Sequence, residues 1–274
     1  MTVPTAQKRA AFRALHQQGC FILPNPWDVG SARMLQHLGF AALASTSSGF
    51  AWTIGRPDYG ITRADALAHF TAIAAAVDLP INADFEACYA EDPEGVAESV
   101  TLCIATGVAG LSIEDRDVAR GGRLYDQAMA IERLRAARGA IDRSGTEVML
   151  IARTEGILED PSAVTPAIDR LVAFAAEGAD CLYAPGVWKK ADIAAMVKAV
   201  SPKPLNVLVR GSDLTLADLA ELGVRRISVG GGLAGTGWGT MVKVAKELKA
   251  GSFAALQSAR MPNAELNAAF KGFV

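Results

Sequence analysis

Histidine and cysteine are scarce in this 274-residue chain, which has three of the first (His16, His37, His69) and four of the second (Cys20, Cys88, Cys103, Cys181). The cysteines show no paired spacing, and a chain of this size holds a core without covalent staples, so they read as reduced thiols. No run approaches the roughly 18 uncharged apolar residues of a membrane span. Positive charge is not in excess either: 27 Lys and Arg stand against 29 Asp and Glu, without the basic stripe that nucleic-acid binding requires. Residues 1–11 contain Lys8 and Arg9 but no apolar segment ahead of a small-residue cleavage site, so no secretory signal is expected and the cytoplasm is the expected compartment.

What is present is repetition. Short apolar runs at 21–23, 41–44, 81–83, 110–113, 148–151, 181–183, 205–208 and 226–229 alternate with Ala-rich stretches of helical period at 32–38, 63–77, 93–106, 127–143, 161–177, 190–200, 216–222 and 241–248. Eight strand-then-helix units in about 250 residues predict an α/β fold, a (β/α)8 TIM-type barrel, as one domain over 1–274. A helix at 5–18 precedes the first unit, another short one is expected at 252–258, and 234–274 forms a C-terminal helical segment. Gly39, Gly107, Gly178 and Gly223 fall where helices end, the place of a left-handed C-terminal cap.

Barrel enzymes act at the C-terminal ends of their strands. After the third strand stand Asp84 and Glu86, after the fourth Glu114 and Asp115, and beyond the second come residues 45–49 and then Asp58. Alternate residues of a strand point the same way, so Asp84 and Glu86 are expected to converge on the mouth. Four carboxylates there (Asp58, Asp84, Glu86, Glu114), with no histidine or thiol among them, would repel one another unless a cation sat between them. Ligation by oxygen alone favours Mg2+ or Mn2+. The three histidines lie in expected helices and read as packing or surface residues. Arg153, after the fifth strand, either clamps a substrate carboxylate or forms an ion pair with one of these acids. Asn206, on the seventh strand, either meets a ligand or hydrogen-bonds within the interior.

Several stretches belong together. They are Asn25-Pro26-Trp27-Asp28 with Ser31-Ala32, Gly39-Phe40, Ser45 to Gly49, Gly55-Arg56-Pro57-Asp58, Ala83-Asp84-Phe85-Glu86 with Tyr89, Ile113-Glu114-Asp115, Ile151-Ala152-Arg153-Thr154 and Pro204-Leu205-Asn206-Val207. Jointly they resemble the isocitrate lyase/phosphoenolpyruvate mutase superfamily. The resemblance implies a Mg2+-dependent barrel acting on small 2-oxo or 2-hydroxy carboxylates, or their phosphonate analogues, through a metal-stabilised enolate. It makes Asp84 the direct metal ligand, with Glu86, Glu114 and Asp58 holding the ion's waters. Asp58, Glu114 and Arg153 form the catalytic group. Arg153 would bind the substrate carboxylate, Ser45, Thr46 and Ser47 the carboxylate or enolate oxygen, and Asn206 the substrate's distal end. Members commonly exchange their eighth helix between subunits, which implies a homo-oligomer, dimer or tetramer, with residues 233–249 and the segment after them exchanged.

One loop departs from the family. Its lyase branch has a Lys-Lys-Cys-Gly-His loop after the fourth strand, whereas here Glu114 leads into Asp115-Arg116-Asp117-Val118-Ala119-Arg120-Gly121-Gly122-Arg123-Leu124-Tyr125, with no cysteine and without the asparagine of the phosphonate mutases. Cys88 also stands where the family often has glycine. Retro-aldol cleavage needs an acid for the departing enolate, a need the lyase cysteine meets, while decarboxylation of a β-oxo acid asks for only an electron sink and a proton source. The expected function is therefore a carbon–carbon lyase of a small 2-oxo dicarboxylate, with oxaloacetate decarboxylation or a related cleavage foremost. The alternatives are a phosphonopyruvate-type P–C hydrolase or mutase, and a non-catalytic 2-oxo acid binding protein. Arg116, Arg120 and Arg123 could meet a second carboxylate, with Gly121-Gly122 as a hinge. Gly230-Gly231-Gly232-Leu233-Ala234-Gly235 matches a dinucleotide-binding pattern, but no further strand or acid follows. It reads better as a turn after the eighth strand, a place where barrels bind anionic groups.

Overall fold

The computed structural model describes residues 3–211 and 213–273. Eight parallel strands surround the centre: β1 (Phe21–Leu23), β2 (Leu43–Ala44), β3 (Ile81–Asp84), β4 (Gly110–Glu114), β5 (Met149–Arg153), β6 (Cys181–Tyr183), β7 (Leu205–Leu208) and β8 (Arg226–Ser228). They are hydrogen-bonded in the order β1-β8-β7-β6-β5-β4-β3-β2, the expected (β/α)8 barrel. Between β1 and β2 the ring is completed by the Ala44 N–H donating to the Pro24 carbonyl at 3.1 Å. Asn25 ties the same corner together. Its Nδ2 donates to the Ser45 carbonyl at 2.9 Å, and its Oδ1 accepts from the Val229 and Gly230 N–H groups at 2.9 and 2.8 Å. Among the described residues no helix is long and apolar enough to cross a membrane.

Three strands coincide with the expected runs, while β3, β4 and β5 extend past them to Asp84, Glu114 and Arg153. An apolar run stops at the first charge, but the ladder continues, because the barrel mouth accepts charge where a core would not. Among the helices, Gln127–Arg143 and Lys190–Val200 match expectation, and Gly39, Gly107, Gly178 and Gly223 are all left-handed at helix ends, with φ of 84, 90, 94 and 86°. The final barrel helix begins at Gly232 rather than 241 and runs to Lys249. Glycines at 235, 237 and 239 had hidden its first half. Only Gly230 and Gly231 therefore belong to the turn after β8. The helix Asn263–Phe270 falls in the expected C-terminal helical segment, whereas the helices Ser47–Thr53 and Gly156–Glu159 and the hairpin of Arg116–Asp117 with Arg123–Leu124 have no counterpart in the sequence reading.

The helix Thr5–Leu15 plugs the end of the barrel opposite the active mouth. Phe12 is fully buried there, and a Cβ on Gly110 would come within 2.7 Å of its ring and 2.8 Å of Asn82 Oδ1, so only glycine fits at the start of β4. The Lys8 Nζ donates to the carbonyls of Ala74 and Val77, and Arg9 donates to those of Ile104 and Val108. These cations satisfy carbonyls at the C-terminal ends of two barrel helices, where the helix dipole favours positive charge. His16 lies between the rings of Phe12 and Phe21, and His69 stacks on Phe50 at 4.0 Å; burial lowers their pKa values to about 3 and about 4. His37 is exposed on its helix. All three histidines are packing or surface residues.

Arg133, 1% exposed on the helix Gln127–Arg143, fastens the loop after β3. Its guanidinium donates to the carbonyls of Ala90, Glu91 and Ala87 at 2.7, 2.5 and 2.6 Å and lies 4.2 Å from the Tyr125 ring centroid. Arg133→Met would keep the volume and remove the donors from one buried and two part-buried carbonyls, so unfolding in urea is expected to show a loss of about 2 kcal/mol or more. A loss below about 1 kcal/mol would show that the loop does not depend on this residue.

Candidate active site

A small cleft, with an enclosed volume of about 60 Å³, opens at the C-terminal ends of the strands. Its wall includes Ser45, Thr46, Ser47, Asp58, Asp84, Glu114 and Arg153, so most of the residues expected from sequence share one space. Asp84 ends β3. Its Oδ2 accepts from the backbone N–H and the Oγ of Ser47 at 2.9 and 3.0 Å, and its own N–H donates to Ser45 Oγ at 2.8 Å. Thr46 caps the helix Ser47–Thr53 by accepting from the Gly49 N–H at 3.2 Å. Residues 45–47 thus position Asp84 as well as line the cleft.

Arg153 enters from β5 and meets acids on three sides: Asp84 at 3.3 Å, Glu114 at 3.4 Å, and Glu155 through Nε. Its Cζ also lies 5.2 Å from the centre of the Tyr183 ring. The ion-pair alternative weighed from sequence is therefore realised, while the guanidinium still forms part of the cleft wall. Burial raises the Glu114 pKa well above the usual carboxylate range, and Arg153 opposes that shift. Glu114 Oε1 is buried with no hydrogen-bond partner among the described residues. Asp115 is structural: its carboxylate accepts from Thr154 Oγ1 at 2.7 Å and the Glu155 N–H at 2.9 Å, and pairs with Arg170 at 3.2 Å.

Two expected residues are placed differently. Glu86 does not alternate with Asp84, because β3 ends at Asp84 and the chain turns through left-handed backbone at Glu86, Cys88 and Tyr89 (φ 47, 59 and 52°). Its side chain is buried against a neighbouring chamber lined also by Tyr59, Tyr89 and Tyr125. The same turn accounts for the family's preference for glycine at the position of Cys88, since left-handed backbone suits glycine. Asn206 lies beneath the cleft, 1% exposed, with its amide committed: Oδ1 accepts from Arg226 Nε at 2.9 Å and Nδ2 donates to Ser228 Oγ at 3.0 Å. The interior alternative holds for it, and it offers a substrate nothing directly.

The cleft also contains groups that the strand-end rule passed over: Asn25, Tyr59, Tyr183, Arg210 and Arg226. Tyr59 is left-handed (φ 60°) and faces Glu114; burial and that carboxyl raise its phenol pKa well above the ordinary value, so it stays protonated. Arg116 lies 5.2 Å over the Tyr59 ring, whereas Arg120 pairs with Asp117 at 3.5 Å while 82% exposed, and Arg123 is exposed. Of the three loop arginines only Arg116 is turned to the rim. Among the described residues no three His, Cys, Asp or Glu side chains gather closely enough to cage an ion. Asp84, with Glu114 and Asp58 on the same cleft wall, could hold a hydrated one.

Burial, then the charges of Asp84 and Asp58, push the Glu86 carboxyl up to about 8 from 4.5. The folded protein then retains a proton that the unfolded chain has released, so stability falls as pH rises through that window. In chelating buffer the wild-type Tm is expected to drop more steeply between pH 5 and 8 than that of Glu86→Gln. Parallel curves would remove Glu86 from the account.

Comparison with known proteins places this geometry. A structure from Burkholderia cenocepacia J2315, provisionally described as a lyase/mutase, superposes with a TM-score of 0.93 at 40% identity over 97% of both chains. An oxaloacetate decarboxylase of Paraburkholderia xenovorans is 28% identical over 235 residues, 82% of this chain and 75% of the relative. The structure of oxaloacetate acetylhydrolase with its product oxalate has a TM-score of 0.82 at 26% identity, covering 90% of this chain and 88% of that one. The phosphoenolpyruvate phosphomutase family model matches residues 12–249, and the chain belongs to the phosphoenolpyruvate mutase/isocitrate lyase superfamily of lyases and mutases.

Proposed function

We propose that this chain is a divalent-cation-dependent carbon–carbon lyase of a small 2-oxo dicarboxylate, with oxaloacetate decarboxylation or a related cleavage as its reaction. The observation that carries the proposal is a cleft with carboxylates and an arginine at its mouth but no thiol. None of the cysteines lines it, and burial holds the Cys88 thiol up at about 12. A cleavage that depends on a thiol acid has no acid here, whereas loss of carbon dioxide needs only an electron sink and a proton. The matched decarboxylase and the oxalate-bound acetylhydrolase favour the same substrate class.

The donor set fits Mg2+ or Mn2+, because the acids offer oxygen alone and the buried Glu114 Oε1 is an acceptor with no partner among the described residues. Asp84 would hold the ion directly, with Glu114 and Asp58, which share its cleft, acting through its waters. Once bound, it would supply a Lewis acid that draws electrons toward the substrate's 2-oxo oxygen. Arg153 orients the adjacent carboxylate, and the hydroxyls of residues 45–47 line its other side. As the C3–C4 bond breaks, carbon dioxide leaves, its bonding electrons pass into an enolate, and the Tyr59 O–H returns a proton to C3.

Purified protein with Mg2+ is expected to release pyruvate, or oxalate and acetate, from oxaloacetate. Asp84→Ala should abolish this activity, and Tyr59→Phe should slow kcat roughly 100-fold. Neither product from wild type, with Asp84→Ala behaving the same, would overturn the proposal. Phosphate release from phosphonopyruvate would instead indicate P–C hydrolysis, and calorimetric binding without turnover would indicate a 2-oxo acid binding protein.

The proposal extends to assembly. Of the eighteen residues of the helix Gly232–Lys249 only Ala234 is buried, and Trp238, Met241, Val242 and Leu248 are exposed. A second copy of this chain covers that face in a homo-oligomer that exchanges the helix. Light scattering at micromolar concentration should give a dimer or tetramer that Met241→Glu dissociates; a wild-type monomer would refute the exchange.

A further inference from the structure

Arg226 opens β8, yet its side chain stays inside the barrel. It is 2% exposed, donating from Nε to Asn206 Oδ1 at 2.9 Å and from Nη1 to Asn82 Oδ1 at 3.4 Å. These partners are neutral, and among the described residues no carboxylate lies within 4.0 Å of the guanidinium. Burial lowers its pKa from the ordinary arginine value, the sign of a cation stripped of water without full replacement. Arginine nonetheless remains charged in proteins, so the missing countercharge must come from elsewhere.

Two comparisons sharpen the point. Arg153 is surrounded by three acids. Arg133, equally buried, spends its donors on three close carbonyls and an aromatic ring, and does not line the cleft. Arg226 does line it, together with Arg210, Ser228 and the turn of Gly230 and Gly231. The cleft is thus divided: carboxylates follow β2, β3 and β4, while Arg226 from the start of β8 and the exposed Arg210 after β7 line its other side.

We propose that Arg226, with Arg210, is an anion subsite for the substrate's distal carboxylate, selecting a 2-oxo dianion over a 2-oxo monoanion. This rests on the reading of the cleft as a 2-oxo acid site. Asn206 then acts through Arg226, as a positioning residue that aims the guanidinium. In the glycine-rich turn that resembled a dinucleotide motif, a Cβ on Gly231 would come within 2.8 Å of Ser48 Oγ, so the turn packs closely on the helix Ser47–Thr53.

Calorimetry with Mg2+ present, using pyruvate as the monoanion and 3,3-difluorooxaloacetate as a dianion that resists turnover, tests the subsite. Wild type should bind the dianion on the order of 100-fold more tightly. Arg226→Met should bring the two ligands within severalfold of each other while leaving pyruvate binding unchanged, and Arg226→Lys should retain part of the preference. A purely structural role would weaken both ligands alike, which would overturn the assignment, as would a preference that survives in Arg226→Met. Should that variant fail to fold, Arg226→Lys and the wild-type preference still decide, since equal wild-type affinities refute the subsite by themselves. If wild type bound neither ligand, the 2-oxo acid reading would fall first and take the subsite with it.

Discussion

Arg153 arrives at the barrel mouth from β5 with Asp84, Glu114 and Glu155 around it, and that meeting shows the constraint under which the whole interior is built. A barrel interior holds little water, so each charge placed there must be met by another charge or by oriented dipoles. Lys8 and Arg9 find helix-end carbonyls, Arg133 finds the loop after β3, and Asp115 finds Thr154, the Glu155 N–H and Arg170. Among the described residues Glu114 Oε1 lacks a hydrogen-bond partner and Arg226 lacks a countercharge, and both residues line the cleft, where a ligand would complete them; Glu86 Oε1 and the Tyr89 hydroxyl are likewise unmet beside the neighbouring chamber.

The loops depend on the same matching. The turn that displaces Glu86 from the cleft is left-handed at three residues other than glycine, a conformation that costs energy unless its surroundings enforce it. Arg133 enforces it by gathering the carbonyls that the turn exposes. The loop after β4 is fixed from both ends: Tyr125 N–H donates to the Asp115 carbonyl at 2.8 Å, and Arg170 bridges Asp115 and the Tyr125 carbonyl. At its tip a Cβ on Gly122 would strike the Arg116 guanidinium, so glycine there leaves Arg116 room to lie 5.2 Å over the Tyr59 ring.

The barrel was legible in the sequence because the alternation of apolar runs with Ala-rich periods is a one-dimensional signal. Asp84, Glu114 and Arg153 could be read for the same reason, since position after a strand implies position at the mouth. Glu86 could not, because strand alternation is a rule only while the strand lasts, and nothing in Phe85-Glu86-Ala87 announces a left-handed turn. Arg226 and Asn206 exchanged their apparent importance. Arg226 was merely the first residue of the eighth apolar run and Asn206 either a ligand contact or an interior hydrogen-bonder, and the register that pairs them across β7 and β8 is a property of the folded sheet. That both are inward neighbours of Ser228 and Leu208 was the available clue, since residues two apart on a strand share a face. The helix Ser47–Thr53 was concealed by a Ser-Ser-Gly start that reads as loop.

Phe12, seated against Gly110, has a consequence for traffic through the molecule. With the far end of the barrel stoppered, the cleft is a well rather than a tunnel, and whatever enters from the mouth must back out through it. An acid product that keeps its 2-oxo carboxylate would leave past the same arginine and serines that received the substrate. Arrival and departure then share one doorway, so a bound product bars the next substrate until it has gone.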